Sequence, residues 1–292
     1  MSSPLHAAYY ADQAVQQTVE IVENVRLARD TYRVRFHSPE IARRILPGQF
    51  LMVRLAGIND PLIGRPLALY DTVLSSSDAP TAVDVVYLVK GKLTSQLWQL
   101  QPGQQLDVWG PLGNGFGGRS ATTEHLVMVA GGIGQTPFLA LAQEALGTKQ
   151  YGNPPRTGLR VSRVTLCYGA RTADYLAGIG DFGQLGVDVR LATDDGSRGH
   201  QGLVTELVQG VLAENQKDVR IICCGPEPMM EAVAHIAHQA GVPCQVSLET
   251  PMACGIGICF TCVAKIRQPD GDWDYKRTCV EGPVFDAEMI EW

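Results

Sequence analysis

A stretch near the C-terminus, Cys254-Gly255-Ile256-Gly257-Ile258-Cys259-Phe260-Thr261-Cys262, places three cysteines in one glycine-rich segment, and Cys279 follows after a longer insert. This C-x4-C-x2-C spacing with a distant fourth cysteine is typical of a [2Fe–2S] cluster site. Four thiolates must converge on two irons, so the segment has to wrap closely around the cluster. Gly255 and Gly257 allow positive φ angles, which turn backbone N–H groups toward the sulfurs. The predicted cluster ligands are Cys254, Cys259, Cys262 and Cys279.

The sequence leaves two other roles open for the four cysteines. A structural zinc site also binds four thiolates, although it usually has two separated C-x2-C pairs rather than three cysteines in one loop. Disulfides are a further alternative, although Met1 to Gln16 lack the basic and apolar regions of a secretory signal. The spacing favours the iron–sulfur cluster over both.

The composition is that of a globular protein with room for two ordinary domains and a small appendage. The chain has 292 residues, of which 45% are hydrophobic and 18% are charged. Its net charge of −6 and the lack of a lysine and arginine cluster argue against nucleic-acid binding and an anionic membrane surface. No apolar run approaches the length of a membrane span, so we expect a cytoplasmic protein. The remaining cysteines are expected to be small buried hydrophobic residues: Cys167, Cys223, Cys224 and Cys244.

The segment from residue 15 to residue 116 has the pattern of an antiparallel β-barrel. Short runs rich in β-branched and aromatic residues alternate with turns such as Pro47-Gly48 and Pro102-Gly103, which suit a positive φ at the glycine. The predicted strands are Thr18–Val22, Thr31–Phe36, Phe50–Leu55, Leu67–Tyr70, Val83–Val89 and Leu106–Trp109. Leu93–Leu100 is predicted to be its one helix, with Thr94 as the N-cap. Residues 1–14 are expected to form a loose leader.

A glycine-rich run from Gly110 to Gly118 breaks all periodicity and predicts a domain boundary. Beyond it, apolar strands alternate with helices, which is the pattern of a parallel sheet wrapped by helices. The predicted strands are Leu126–Val129, Val164–Tyr168, Val187–Leu191 and Ile221–Cys224, and the predicted helices are Pro137–Leu146, Leu203–Leu212 and Met229–Ala240. This α/β domain is predicted to span residues 119–246.

The last segment, residues 247–292, is predicted to be a small cluster-binding domain. A predicted strand over Gln245–Leu248 leads into this segment, and a predicted hairpin is formed by Val263–Ile266 and Trp273–Lys276. A proline–aspartate–glycine turn between the two runs supports the hairpin. The hairpin would bring Cys279 back beside Cys262.

Three loops carry residue types that bind phosphates or nucleotides. Arg65 precedes Pro66, and a rigidly held guanidinium suits a pyrophosphate, although a surface arginine before proline is common. Gly131-Gly132-Ile133-Gly134 follows an apolar strand and opens a helix, where N–H groups attract phosphates, although a ligand-free turn has the same pattern. Cys224-Gly225-Pro226 ends another strand, at the edge where open α/β sheets bind ligands.

Taken together, these segments resemble the ferredoxin–NADP reductase superfamily, and within it the electron-transfer subunits of class 1B dihydroorotate dehydrogenase, the PyrK family. The resemblance runs from about residue 17 to the C-terminus. The order of domains distinguishes this family from other reductases of the superfamily, because few of them carry a cysteine loop after the nucleotide domain. The matching motifs are Arg65–Ala68, Tyr87–Thr94, Gly110–Phe116, Gly131–Gly134, Thr193–Ser197, Cys224–Pro226 and Met252–Gly257.

The resemblance implies a β plus α/β fold: an antiparallel FAD-binding β-barrel at 15–116, a nucleotide-binding α/β domain with a parallel sheet at 119–246, and a small C-terminal [2Fe–2S] domain at 247–292. The implied FAD contacts are Arg65, Pro66, Leu67, Ala68, Tyr87, Leu88, Val89, Leu93 and Thr94, and the implied NAD(H) contacts are Gly132, Gly134 and Gly225. The family commonly has serine at Ala68 and glycine at Leu93. A hydroxyl near the flavin is therefore absent, and close approach of the backbone to the FAD phosphates is not assured.

The resemblance also implies a function and a partner. Electrons would pass between NAD and an FMN-containing dihydroorotate dehydrogenase catalytic subunit through FAD and the cluster, in a heterotetramer of two of each subunit. The chain has no spare segment of about 250 residues for a TIM barrel of its own, so no catalytic acid, base or nucleophile is assigned. A related NAD(P)H–ferredoxin, sulfide or hydrogenase diaphorase subunit is the alternative, and a zinc-stabilised binding module is the alternative of a different class. The choice between NAD and NADP stays open, with Arg171 as a candidate contact at the ribose 2′ position.

Overall fold

The computed structural model describes residues 11–117, 123–156, 158–214 and 217–292. The strands of its N-terminal part are β1 (Val15–Ala28), β2 (Thr31–His37), β3 (Phe50–Leu55), β4 (Arg65–Leu74), β5 (Pro80–Leu88) and β6 (Gln105–Leu112). They close into an antiparallel barrel in the order β1-β2-β5-β4-β3-β6, which confirms the predicted barrel. Residues 1–10 of the expected leader, Gly118 and the predicted start of the α/β domain at 119 lie outside the described residues.

Strand β3 shows that the barrel is covered on part of its outside. Leu51, Val53 and Leu55 point into the barrel core, where each is at most 1% exposed. The alternate residues Phe50 and Met52 belong to a different apolar cluster, yet they are also buried. A strand with one face in water alternates apolar and polar residues, so a continuous apolar run indicates a strand covered on both faces. The covering element is the cysteine loop.

A helix that the sequence does not predict packs on the barrel. Helix α1 (Pro39–Arg44) has proline in its first turn, where the missing N–H costs nothing. It buries Ile41 and Ala42 in the barrel core. With six residues the helix is too short for a helical period to appear in the sequence.

The second helix is shorter than predicted and begins differently. Helix α2 spans Thr94–Leu97, within the predicted range Leu93–Leu100. Thr94 is its first residue and not its N-cap, so that expectation is wrong. The Thr94 hydroxyl oxygen instead accepts the backbone N–H groups of Lys90 and Gly91 at 3.0 and 3.1 Å. The side chain therefore shapes the loop before the helix.

The C-terminal part is built on a seven-stranded sheet. Its strands and hairpin are β7 (His125–Gly131), β8 (Arg163–Ala170), β9 (Asp188–Thr193), β10 (His200–Gln201), β11 (Val219–Cys224), β12 (Cys244–Ser247), β13 (Val263–Arg267), β14 (Trp273–Arg277) and β15 (Val284–Asp286). The sheet has the order β10-β9-β8-β7-β11-β12-β15. All neighbours are parallel except β12 and β15. The predicted parallel sheet is confirmed, with one antiparallel strand added at its edge.

Helices pack on this sheet as the alternating pattern predicts. They are α3 (Phe138–Leu146), α4 (Ile179–Gln184), α5 (Val204–Glu214) and α6 (Glu227–Ala240). The sequence does not predict α4, because its two glycines lower helix propensity. Across the described ranges, the helices are all too short or too polar to cross a membrane.

Strands β13 and β14 form the predicted hairpin, with Val263 opposite Arg277. Where the hairpin ends, the N–H of Thr278 donates to the carbonyl oxygen of Cys262 at 2.8 Å. The prediction that this hairpin returns Cys279 to Cys262 is therefore confirmed. The chain then continues into β15, which the sequence does not predict.

Asn114 joins the exit of the barrel to the C-terminal segment. Its Nδ2 donates to the carbonyl oxygens of Glu281 and Val284 at 3.2 and 2.7 Å, and its Oδ1 accepts the N–H of Val284 at 3.1 Å. Its own N–H donates to the carbonyl oxygen of Gly282 at 2.7 Å. These bonds hold the segment after Cys279 against the barrel.

Candidate cofactor and electron-transfer site

The four cysteines of the predicted cluster site come together as two pairs. The sulfurs of Cys254 and Cys259 lie within hydrogen-bonding reach of each other, and so do those of Cys262 and Cys279. A hydrogen bond from the Thr261 side chain lowers the pKa of Cys259 to about 6, which favours the thiolate form that binds metals. Two pairs of cysteine sulfurs match a cluster of two irons with four cysteine ligands.

Backbone N–H groups point at these sulfurs. The N–H of Ile256 donates to Cys254 Sγ at 3.4 Å, and the N–H of Gly257 donates to the sulfur of Cys279. Hydrogen bonds to ligand sulfurs set the potential of an iron–sulfur cluster because they stabilise negative charge. The loop thus supplies donors as well as ligands.

The paired arrangement discriminates between the alternatives. A structural zinc ion holds four ligands around one point, whereas the four cysteines of the loop lie as two pairs. All eight cysteines are free, which contradicts the disulfide alternative. The two pairs are the arrangement expected where each iron of a [2Fe–2S] cluster takes one pair of cysteines.

The two glycines of the loop are required by both conformation and packing. Gly255 and Gly257 have φ angles of 75° and 81°. A Cβ atom at Gly255 would lie 2.6 Å from Met52 Cγ, and one at Gly257 would lie 2.6 Å from Val280 Cγ2. Met52 is on β3, so the loop packs directly on the outside of the barrel.

Trp109 joins the cysteine loop to the start of β4. This residue lies on β6, opposite Met52 of β3. Its indole N–H donates to the carbonyl oxygen of Cys254 at 2.9 Å. On its other side, a Cβ atom at Gly64 would lie 2.8 Å from Trp109 Cη2, and Gly64 immediately precedes β4. One side chain thus contacts both segments.

The predicted flavin contacts Arg65–Ala68 form the start of β4. This strand pairs with β3, so that Ala68 lies opposite Phe50. Phe50 belongs to the apolar cluster that also contains Cys262 and Cys279. The predicted flavin strand and the cysteine loop are therefore both neighbours of β3.

The remaining predicted flavin contacts divide into buried and accessible groups. Tyr87 and Leu93 are each 1% exposed and pack in the barrel core. The Tyr87 hydroxyl donates to Asn24 Oδ1 at 3.0 Å. Leu88 and Val89 are half-buried at the end of β5. The side chain of Leu93 therefore belongs to the barrel core and not to its surface.

Arg65 and the start of α2 present donors at the barrel surface. The Arg65 side chain is exposed, and its Nη1 donates to the carbonyl oxygens of Ile63 and Gly64 at 3.1 and 3.0 Å. The first N–H groups of a helix have no partner within the helix, which applies to Thr94 at the start of α2. Such donors suit a phosphate.

The glycine loops after β7 and β11 touch each other. A Cβ atom at Gly134 would lie 2.2 Å from the carbonyl oxygen of Cys224, and one at Gly225 would lie 2.9 Å from the N of Gly131. Gly132 has a φ of 55°. The strand order reverses at β7, and open α/β sheets bind ligands at such a switch point. The structure thus brings the predicted nucleotide contacts Gly132, Gly134 and Gly225 to one edge.

Arg171 lies at the same carboxyl edge, after the neighbouring strand β8. Its carbonyl oxygen accepts the N–H of Asp195 at 3.3 Å. The Asp195 carboxylate accepts the N–H and hydroxyl of Ser197 at 3.0 and 2.6 Å. The backbones of Arg171 and Asp195 are therefore joined at the edge where the predicted nucleotide would extend from the glycine loops.

The cysteines outside the loop have a packing role. Cys167 and Cys223 are fully buried, and Cys224 and Cys244 are half-buried. Desolvation by burial raises the pKa of Cys167, Cys224 and Cys244 to about 12, so these groups stay protonated thiols.

The barrel, the sheet with its glycine loops and the cysteine loop define an oxidoreductase of the ferredoxin reductase class. Three family models match the chain: the oxidoreductase FAD-binding domain over residues 18–116, the oxidoreductase NAD-binding domain over 128–235, and the iron-sulfur cluster binding domain of dihydroorotate dehydrogenase B over 249–291. The chain belongs to the family of dihydroorotate dehydrogenase B (NAD(+)) electron transfer subunits.

Two curated members of the family illustrate the match. The electron transfer subunit from Desulforamulus reducens is 36% identical over 266 residues, which cover 91% of this chain and 94% of that protein. The subunit from Caldanaerobacter subterraneus subsp. tengcongensis is 34% identical over 270 residues, which cover 92% and 96%. The match therefore extends over nearly the full length of both chains.

Solved structures share the fold. The NADH-dependent reduced ferredoxin-NADP oxidoreductase is 30% identical, with a TM-score of 0.76 over 94% of this chain and 90% of that one. Phthalate dioxygenase reductase is 16% identical, with a TM-score of 0.57 over 91% and 94%, and supports the fold alone.

Two residues of the site carry no signal in the sequence. Trp109 ends a predicted strand, and Arg277 immediately follows the predicted hairpin; each residue type has many ordinary roles at such positions. Their contacts with the cysteine loop depend on segments far apart in the chain, and no local pattern predicts them.

Proposed function

We propose that this chain passes electrons between NAD and a partner flavoenzyme, through FAD on the barrel and a [2Fe–2S] cluster in the cysteine loop. The observation that carries the proposal is Trp109, which contacts both Gly64 at the start of the proposed flavin strand and Cys254. The two proposed carriers therefore bind at neighbouring positions.

The chain's own residues bind and orient these groups. The proposed FAD contacts are Arg65, Pro66, Leu67, Ala68, Tyr87, Leu88, Val89, Leu93 and Thr94, with Tyr87 and Leu93 contributing backbone only. The proposed nucleotide contacts are Gly132, Gly134 and Gly225, and the proposed cluster ligands are Cys254, Cys259, Cys262 and Cys279. Bound FAD exchanges a hydride with nicotinamide and single electrons with the cluster. We assign no catalytic acid, base or nucleophile to this chain.

The partner is proposed to be the FMN-containing catalytic subunit of dihydroorotate dehydrogenase, in an assembly of two of each chain. The names of the curated relatives support this partner. An exposed apolar surface beside the cluster ligands supports the position of contact. This docking face consists of Leu62, Ile63, Ile258 and Phe260, which are 63%, 47%, 67% and 63% exposed. The first two precede Gly64 and the last two lie in the cysteine loop, and Trp109 links these two segments. Exposed apolar groups mark an interaction surface, and electron transfer requires the cluster close to the partner.

We place the assembly in the cytoplasm. The eight cysteines are free, which is typical of a reducing compartment.

A second candidate is an NADPH- and ferredoxin-linked oxidoreductase subunit. The similarity to the NADH-dependent reduced ferredoxin-NADP oxidoreductase, at 30% identity over 94% of the chain, favours it as the alternative. The two candidates share FAD, cluster and nucleotide sites and differ in the partner.

An anaerobic absorption experiment tests the proposal. The purified chain is expected to show flavin bands and a broad iron–sulfur absorbance, both bleached by NADH. Dihydroorotate should bleach the same bands only after the catalytic subunit is added. A colourless protein would contradict the cofactor assignment, and bleaching by NADPH and reduced ferredoxin but not through the catalytic subunit would support the second candidate.

A further inference from the structure

Arg277 lies in the segment that carries Cys279, and its side chain contacts the cysteine loop. Its Nη1 donates to the carbonyl oxygen of Gly257 at 3.0 Å, in the middle of the loop. Its guanidinium carbon lies 5.1 Å from the centre of the Phe260 ring, which is a cation–π contact. Arg277 is two residues before Cys279, so one side chain joins the fourth cysteine to the other three.

The conformation of the loop requires a stabilising contact of this kind. Phe260 has a φ of 55°, a left-handed conformation that is uncommon for a residue with a bulky side chain. It is 63% exposed, so packing against a core does not impose this conformation. The Arg277 guanidinium lies over its ring. A strained residue persists where surrounding contacts determine it, and here Arg277 supplies them.

Arg277 is itself fixed by Glu281. The Glu281 Oε2 accepts the backbone N–H of Arg277 at 2.5 Å and its Nε–H at 3.3 Å. The Arg277 side chain is 17% exposed and that of Glu281 is 27% exposed. Partial burial limits screening by water, so a charge here acts on its neighbours more strongly than a surface charge.

We infer that Arg277 is a positioning residue that fixes the cysteine loop and raises the reduction potential of the cluster held there. The inference rests on the proposed function, because it concerns the same four cysteines. Reduction adds one electron to the cluster, and a cation against the loop stabilises that added negative charge. Glu281 opposes this effect, because its carboxylate is an anion at the same place.

Redox titration of the purified chain with FAD and cluster bound tests the inference, with the electron paramagnetic resonance signal of the reduced cluster as the readout. Arg277→Met should shift the midpoint potential of the cluster downward, and Glu281→Gln should shift it upward. Lys276→Met is the matched control, because it removes a cation from the adjacent position of β14, where the side chain points to the opposite face. Its midpoint potential should stay near that of the unchanged chain.

A second measurement separates the charge of Arg277 from its contacts. Arg277→Lys keeps the charge and loses the planar fork, so its midpoint potential should stay near the original value. Transfer of iron to a chelator should nevertheless become about tenfold faster, because a hydrogen bond from a charged donor and the ring contact are lost. The same faster transfer is expected for Arg277→Met.

The possible outcomes distinguish failure of this inference from failure of the proposed function. Equal midpoint potentials for Arg277→Met and Lys276→Met would overturn the charge effect. Iron transfer at the original rate in Arg277→Lys would overturn the positioning role. If Arg277→Met retains no cluster, the upward shift in Glu281→Gln decides the charge effect. An unchanged chain without any cluster signal would overturn the proposed function and the inference with it.

Discussion

Gly134 packs against the end of β11 so closely that a side chain would displace backbone. A Cβ atom there would lie 2.2 Å from the carbonyl oxygen of Cys224, whereas real Cβ contacts essentially never fall under 3.0 Å. The two glycine loops would have to separate. Because Gly132 and Gly225 lie in the same two loops, this separation would disturb the whole proposed nucleotide site.

Gly134→Ala should therefore slow reduction of the flavin by NADH by about tenfold to a hundredfold, since small misplacements of a bound reactant have effects of that size. FAD content and the cluster spectrum should stay unchanged, because both groups are proposed to bind elsewhere. Stopped-flow absorbance at the flavin band measures the rate. Gly210→Ala on α5 is the control, since a Cβ atom there meets nothing within 4 Å. Equal rates for the two variants would refute the nucleotide assignment.

At the scale of elements, the sequence predicts those with a repeating pattern. The apolar run of β3, the strands of the parallel sheet and the hairpin of β13 and β14 all appear where their residues indicate. Helices α1 and α4 and strand β15 have six, six and three residues. Elements this short do not show a hydrophobic period in the sequence. The residues of the candidate site divide in the same way into predictable and unpredictable ones. Cysteines and glycines in local motifs are predictable, whereas Trp109 and Arg277 act through contacts between distant segments.

Asn114 connects two elements, since it lies after β6 and bonds to Glu281 before β15 and to Val284 at its start. Asn114→Ala removes three side-chain hydrogen bonds, and we expect a loss of about 2–4 kcal/mol in the free energy of unfolding. Urea unfolding of the holoprotein measures the loss. Asn153→Ala, at an exposed position in the loop before β8, should change the stability by about 0.5 kcal/mol or less. A similar small effect at Asn114 would mean that other contacts hold the C-terminal segment.

In the whole molecule, the cysteine loop lies between the two larger parts. Its apolar cluster contains Phe50 and Met52 of the barrel, and the chain beyond it enters the sheet as β15. The loop therefore takes its position from both parts at once. Its residues Ile258 and Phe260 are exposed and belong to the proposed docking face.

Leu62→Asp should weaken binding of the catalytic subunit by about tenfold to thirtyfold, because a buried charge replaces an apolar contact of an interface. Reduction of a soluble dye by NADH should stay unchanged, since FAD and the nucleotide sites are intact. Leu203→Asp is the matched control: Leu203 is 61% exposed, Leu62 is 63% exposed, and Leu203 lies before α5. Titration calorimetry with the catalytic subunit measures both variants. Equal affinities would remove Leu62 from the docking face.

Strand β15 has a consequence for biosynthesis. It covers the edge of β12 and follows every other strand of the seven-stranded sheet in chain order. The ribosome therefore makes this strand after its neighbours, and until then β12 exposes unpaired N–H and C=O groups. An uncovered edge is a template for aggregation. A truncated translation product lacking only its last ten residues should accumulate in inclusion bodies, because the nascent sheet never receives its final strand.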